Sequence, residues 1–193
     1  MGANRKGTAY MRSLPIKVRN PRTLAQRSQR TKFAVTLRLL QPMTELLRSG
    51  WKLYAHKQSP FNAAMSYTIA NAVIGAYPDY KINPAKVLIS RGALTPVTNA
   101  IAAFNDGEIE FQWEDNSGKS SAKASDKTLI AIVNLAKGEA VTDTEGAERP
   151  DCMQSVPVPA EWSGDEVHAY MGFISENGKE VANSLYLGKI NLA

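Results

Sequence analysis

The chain has 193 residues, 44% of them hydrophobic, a formal net charge of +5 and one cysteine, Cys152. That length supports a sizeable core, as one large or two small domains, and the lone cysteine excludes an intrachain disulfide and fits a reducing compartment. No apolar run approaches the length that spans a bilayer, and no apolar stretch follows the N-terminal bases as in a secretory signal. A soluble protein of cytoplasmic origin is therefore the default expectation, and a particle assembled in the cytoplasm and later released as a virion would look the same.

The net charge hides an asymmetry. Residues 1–91 carry 16 Lys/Arg and 2 Asp/Glu, a balance of +14, whereas residues 92–193 carry 7 and 16, a balance of −9. Such a split suggests nucleic-acid or membrane interaction, or a contact between oppositely charged surfaces. In a self-assembling protein the basic part of one copy would meet the acidic part of the next, and such complementarity sets encounter and orientation more than raw affinity.

Residues 1–20 place Gly2, Gly7 and Pro15 among dispersed charges and read as an extended basic arm. Within it AYMRSLPIKV (9–18) has strand character interrupted by Pro15, which suits an edge or a docked tail. Asn20-Pro21 is a helix start, Asn as the cap and Pro at the first helical position. Phe33, Val35, Leu37, Leu39 and Leu40 then recur at helical spacing, with Phe33, Leu37 and Leu40 expected to anchor the helix in the fold. Pro42 kinks or ends this helix, a second segment runs through Leu47, and Gly50 stops it. Ser59-Pro60 opens another helix, rich in small residues, that ends between Gly75 and Pro78; its Met65 and Tyr67 read as core.

After Pro84 the period changes from helical to alternating. Strands are expected at 86–90, 99–105, 108–114, 128–135, 153–157, 166–175 and 181–190. Turn signals separate them at Asn105-Asp106-Gly107, at 115–118, and at Glu176-Asn177-Gly178, whose Asn-Gly pair is a strong hairpin cue. Trp113 is the candidate core tryptophan. The expected fold is α+β: a basic N-terminal arm (1–20), a region of two or three helices (21–83) and an antiparallel immunoglobulin-like β-sandwich (84–193).

Catalytic constellations are weak. Ser117-Gly118-Lys119-Ser120 resembles the end of a phosphate-binding loop, but Trp113 stands where that motif needs its first Gly, and a hairpin tip is the simpler reading. Glu108 and Glu110 share one face of a strand, where a solvated surface is simpler than an acid–base pair. Histidines occur only at His56 and His168; in DEVHAYMGF, Val167, Ala169, Met171 and Phe173 take one face, leaving His168, Tyr170 and Gly172 on the other. No His/Cys/acid cluster has metal-ligand spacing, and no GxSxG elbow or Cys/His signature is present. The strong chemical signal is basic. Arg5, Lys6, Arg12, Lys17, Arg19, Arg22, Arg27, Arg30 and Lys32 precede the first acid of the chain, Glu45. They are the candidate residues for binding an acidic protein surface or the phosphates of nucleic acid, where Tyr10 adds base stacking.

KGTAYMRSLPIKVRNPRTLAQRSQRTKFAVTLRLLQPMTELLRSGW (6–51) resembles the opening of an uncharacterised domain family found in Bacteroidota and their prophage-like regions. The likeness rests on Lys6, Gly7, Tyr10, Arg12, Ser13 and Pro15, then on Asn20-Pro21-Arg22-Thr23 and Gln26, Gln29, Arg30 and Phe33. It continues through KVLISRGAL (86–94), Phe111 with Trp113, and VHAYMGFISENGKEVANSLYLGKI (167–190). The chain departs from the family in the Gly-rich lead before Lys6, here only a few residues. The family has no assigned activity. The Asn-Pro-x-Thr-x-x-Gln segment is also similar to small proteins encoded among virion genes, which implies a structural part of a phage or phage-derived particle.

The expectation is a non-enzymatic structural protein, a capsid or tail component that forms homo-oligomers through its basic arm and acidic β-domain. Its expected partners are copies of itself and other particle proteins, with no cofactor, no metal and no membrane. The alternative is a nucleic-acid-binding protein without sequence preference, using the same basic segment.

Overall fold

The computed structural model describes residues 22–192, as helices followed by antiparallel sheets. Helix α1 (Leu24–Leu40) is capped by Thr23, whose hydroxyl accepts the Gln26 N–H at 3.3 Å. The helix thus begins later than Asn20-Pro21, and those two residues lie outside the described ones. Pro42 supplies no backbone N–H, and the helix tightens to a 3-10 turn over Gln41–Met43 before continuing as α2 (Thr44–Gly50). Helix α3 (Pro60–Asn71) starts at the Ser59 cap, whose hydroxyl accepts the Asn62 N–H, with Pro60 at its first position. It is shorter than its small-residue run suggests. Val73 pairs with Ile82 instead, closing a short ribbon of β1 (Val73–Ile74) and β2 (Lys81–Ile82).

Seven further strands form two sheets. One is ordered β3 (Thr98–Asn105), β4 (Glu108–Glu114), β7 (Met153–Pro157). The other is ordered β6 (Glu139–Asp143), β5 (Lys127–Asn134), β8 (Glu166–Ile174), β9 (Leu185–Asn191). All their pairings are antiparallel. The β3–β4 turn is Asp106-Gly107, both with positive φ (45° and 84°), the two-residue geometry whose twist matches the flanking strands.

Two cores explain the layering. Ile109, Phe111 and Trp113 of β4 and Val156 of β7 meet Ile130 and Ile132 of β5 and Val167, Ala169, Met171 and Phe173 of β8. The two sheets therefore face each other across one apolar layer. The helices bury Leu39, Leu40, Met43, Leu46, Leu47 and Trp51 against Ala131, Val133 and Tyr170, on the opposite face of the four-stranded sheet. With both faces covered, β5 and β8 are buried almost throughout. This is why their sequences are near-continuous apolar runs.

Three strand expectations change. Residues 86–90 are not a strand: the Ile89 N–H reaches Ser184 Oγ at 2.9 Å and the Ser184 N–H reaches Ser90 O at 3.1 Å. The alternation there records burial of Val87 and Ile89, with a hydroxyl replacing part of a ladder. The final strand starts at Leu185, because Ala182–Ser184 are diverted to this same segment after the isolated Ile174–Val181 bridge. Strand β6 was not expected. Its residues are half-exposed and mostly polar, so no alternation marks it. Phe33 is also corrected as an anchor. It is 49% exposed, and Thr36, Leu39 and Leu40 hold α1 instead.

Candidate functional site

The basic residues divide at the start of the described chain. Arg5, Lys6, Arg12, Lys17 and Arg19 lie outside the described residues. Arg22, Arg27 and Arg30 lie exposed at the start of α1, and the Arg27 Nε donates to Arg22 O at 3.0 Å. Lys32 is half-buried, its ammonium 4.9 Å from the centre of the Tyr80 ring, and the Tyr80 hydroxyl is 2.7 Å from Ser28 Oγ. Tyr80, next to β2, thus fixes α1 while its cationic face stays open. Leu24 and Phe33 add exposed apolar area on the same helix.

Farther along α1, Arg38 crosses to the β5–β6 turn, where its guanidinium donates to Ala136 O at 2.6 Å. A groove of about 680 Å³ opens beside it, walled by Ala34, Leu37 and Pro42 on the helical side and Gly138, Glu139 and Ala140 on the sheet side. A second, of about 400 Å³, lies between α1, Ile82 and Val133–Leu135. The walls are mainly apolar, and neither groove brings together a nucleophile, a base and an orienting group.

The acidic residues occupy the β layers. On the outer face of the three-stranded sheet Glu108, Glu110 and Glu114 project from β4, and no Lys or Arg occurs on β3, β4 or β7. Asn99 donates to Glu114 at 2.7 Å, and Gln112 donates to Glu110. Glu108 and Glu110 thus sit on the outer face of the sheet, Glu110 with an amide partner, the solvated surface that strand alternation implies. On the other sheet, Glu139 accepts from Trp162 Nε1 at 2.8 Å and Asp143 accepts from Gln154 Nε2 at 2.7 Å.

Ser117-Gly118-Lys119-Ser120 lies in a loop closed by Gly118 N–H to Ala122 O at 2.9 Å, and no helix follows it. A phosphate cradle needs that helix, so the loop is a hairpin-like tip. His168 is buried on the helix-facing side of β8, its Nδ1 2.9 Å from the Tyr186 hydroxyl and its Nε2 3.9 Å from Glu166. Burial holds its pKa below the ordinary histidine value; Glu166 opposes the shift and Lys189 adds to it. Burial likewise pushes the Tyr170 hydroxyl up, and it donates to Pro84 O at 3.0 Å. Among the described residues no group of three His, Cys, Asp or Glu side chains could hold a metal ion, and no helix is long and apolar enough to cross a membrane.

Two cation sites were not legible. Arg149 is completely buried: it pairs with Asp126 at 2.8 Å, donates to Asn116 Oδ1 at 2.6 Å and Thr95 O at 2.7 Å, and stacks 3.9 Å from the Phe173 ring centre. The one hint in the sequence is a lone Arg inside the acidic run 139–151. Arg91 lies 4.4 Å from the Tyr54 ring centre and 5.2 Å from that of Tyr67, beside Trp51. These aromatics come from α3 and the α2–α3 connection, far apart in sequence.

A family model matches residues 1–188, described as a family of unknown function (DUF6266). The chain belongs to this family. No curated protein and no solved structure matches it. The membership spans both the basic helical part and the acidic sheets, so the charge split lies within one family unit.

Proposed function

We propose that this DUF6266 member is a non-enzymatic structural protein that self-associates, the basic N-terminal segment of one copy meeting the acidic β-domain of another, as a component of a phage or phage-derived particle. The observation that carries this reading is the segregation of charge by layer. Arg22, Arg27 and Arg30 are solvent-exposed at the start of the helical part, whereas the three-stranded sheet carries Glu108, Glu110 and Glu114 without a single base. The particle setting rests on the likeness of the N-terminal motif to proteins of prophage-like regions. We read the β-domain as an immunoglobulin-like sandwich, supported by the strand orders β3-β4-β7 and β6-β5-β8-β9, in which consecutive strands cross between the sheets.

Sedimentation velocity across salt concentrations, on the full chain and on one lacking residues 1–20, tests the reading. Salt-sensitive assembly that the deletion abolishes is expected. A protein that stays monomeric at high concentration and low salt overturns it. The second reading, a nucleic-acid-binding protein, is favoured by the run of bases before Glu45 and gives a distinct result: retention of unrelated DNA with a steep salt slope, reduced about equally by neutralising Arg22, Arg27 or Arg30.

A further inference from the structure

We infer that the free edge of β6, with the groove beside it, is the receptor for residues 9–18 of a second copy of this chain, which adds there as an extra strand. The inference rests on the self-association proposed above and names its site.

Four observations converge on this edge. First, β6 is the last strand of its sheet and pairs only with β5, from Ile130–Asp143 to Asn134–Glu139. Among the described residues no strand occupies its other side, so it presents backbone donors and acceptors of the kind that strand addition uses. Second, the groove of about 680 Å³ lies at the start of this strand, between Gly138–Ala140 and a wall of Ala34 and Leu37 from α1 with Pro42 from the 3-10 turn. An added strand would place alternate side chains in it. Third, residues 9–18 alternate as such an occupant requires: Tyr10, Leu14, Ile16 and Val18 share one face, with Arg12 among them, while Ser13, Pro15 and Lys17 take the other. Pro15 is tolerated because an added edge strand leaves half its N–H groups facing solvent.

Fourth, the charges match. Residues 139–148 contain Glu139, Asp143, Glu145 and Glu148 and no Lys or Arg, whereas residues 1–21 contain Arg5, Lys6, Arg12, Lys17 and Arg19 and no acid. Another edge strand of the same length, β7, is MQSVP: it is uncharged and ends in proline.

Reach favours a second copy over the chain's own arm. Arg38 marks the groove and lies about 21 Å along α1 from Leu24, at 1.5 Å per residue. Val18 is only four residues from Arg22, a span of at most about 14 Å. The Val18 end of the stretch therefore cannot reach the groove beside its own Arg38, while a neighbour's arm has no such tether; Leu14, at most about 28 Å from Arg22, can reach in either arrangement, and an intrachain disulfide separates the two. Donation of an arm from each copy to the next is a heterologous contact, which builds rings or open filaments.

Disulfide trapping in the full-length chain, with Cys152→Ser to remove the native thiol, tests this. Copies carrying Leu14→Cys are mixed with copies carrying Ala140→Cys and mildly oxidised. The expected product is a covalent dimer at several times the yield given by partners carrying Ile101→Cys, on the outer face of the other sheet. Partners carrying Ala34→Cys, on the helical wall of the groove, should also cross-link, and this pair covers a loss of folding by Ala140→Cys. Preferential linkage to position 101, or an intrachain disulfide in a monomeric Leu14→Cys/Ala140→Cys chain, overturns the inference. If assembly still requires residues 1–20 but neither groove position traps, β6 is not the receptor and the self-association reading stands. If the chain never self-associates, both fail.

Discussion

The guanidinium of Arg149 meets a carboxylate, a side-chain amide, a backbone carbonyl and an aromatic ring at once, all away from water. Its own carbonyl accepts the Trp113 indole N–H at 2.8 Å, so it ties β4 to the loops at Thr95, Asn116 and Asp126. Removing one member of a buried pair leaves the other charge uncompensated, at a cost of about 3–5 kcal/mol. Arg149→Met should lower unfolding free energy by about that amount in urea, and the loss should shrink in an Asp126→Asn background, the signature of coupling. His168 gives a pH test. The groups around it are Glu166, Lys189, Tyr186 and, on the same strand face, Tyr170. Because its folded pKa is depressed, the unfolded chain binds more protons once pH falls below the ordinary histidine value near 6.5. Stability from this group is thus full above that value and declines as pH drops toward the folded pKa. The thermal midpoint should fall as pH drops below about 6.5, and His168→Gln should flatten that slope.

At the scale of elements, the expected strand at 86–90 is instead an irregular segment, which with its continuation to Leu94 is held by side chains and close approach. Gly92 lies against the Val181 carbonyl, so close that a Cβ would overlap it, while its N–H donates to Asn183 Oδ1 at 3.1 Å. Gly92→Ala should destabilise by about 1–3 kcal/mol through overpacking, measured by chemical denaturation. Helix α1 makes the opposite case. Phe33 lies outside the core, so Phe33→Ser should shift stability by less than about 0.5 kcal/mol. If this open helical face contributes to assembly, the same variant should still reduce the sedimentation coefficient at low salt; an unchanged coefficient would exclude Phe33 from the contact. The Ser59-Pro60 start of α3, the break at Pro42, the Asp106-Gly107 turn and the alternation of β4 and β8 were legible, because capping and side-chain period are local properties. β6 was not, since a half-exposed polar edge strand has no pattern of its own.

At the scale of the molecule, the layers sort charge as well as hydrophobicity. The helical side, Arg22 to Arg91, carries eleven bases against Glu45 and Asp79, and the strands and loops of residues 92–193 carry the other acids. An assembly held by such contacts weakens as ions screen them. At about 1 M salt the Debye length shrinks to about 3 Å, and the full-length chain should then sediment as a monomer. Light scattering through a salt titration would check this; assemblies that persist unchanged would point to apolar contacts instead. The sequence by itself determined the charge split, the α-then-β order and the buried faces of β4 and β8, because each depends on composition or on the spacing of neighbours along the chain. Only the tertiary structure decided that Arg149 is an interior ion, that a serine hydroxyl at 184 stands in for a strand ladder, and that α1 and the β6 edge enclose a groove. Those features join residues that are tens of positions apart, and burial, partner and open edge are fixed only when the layers close.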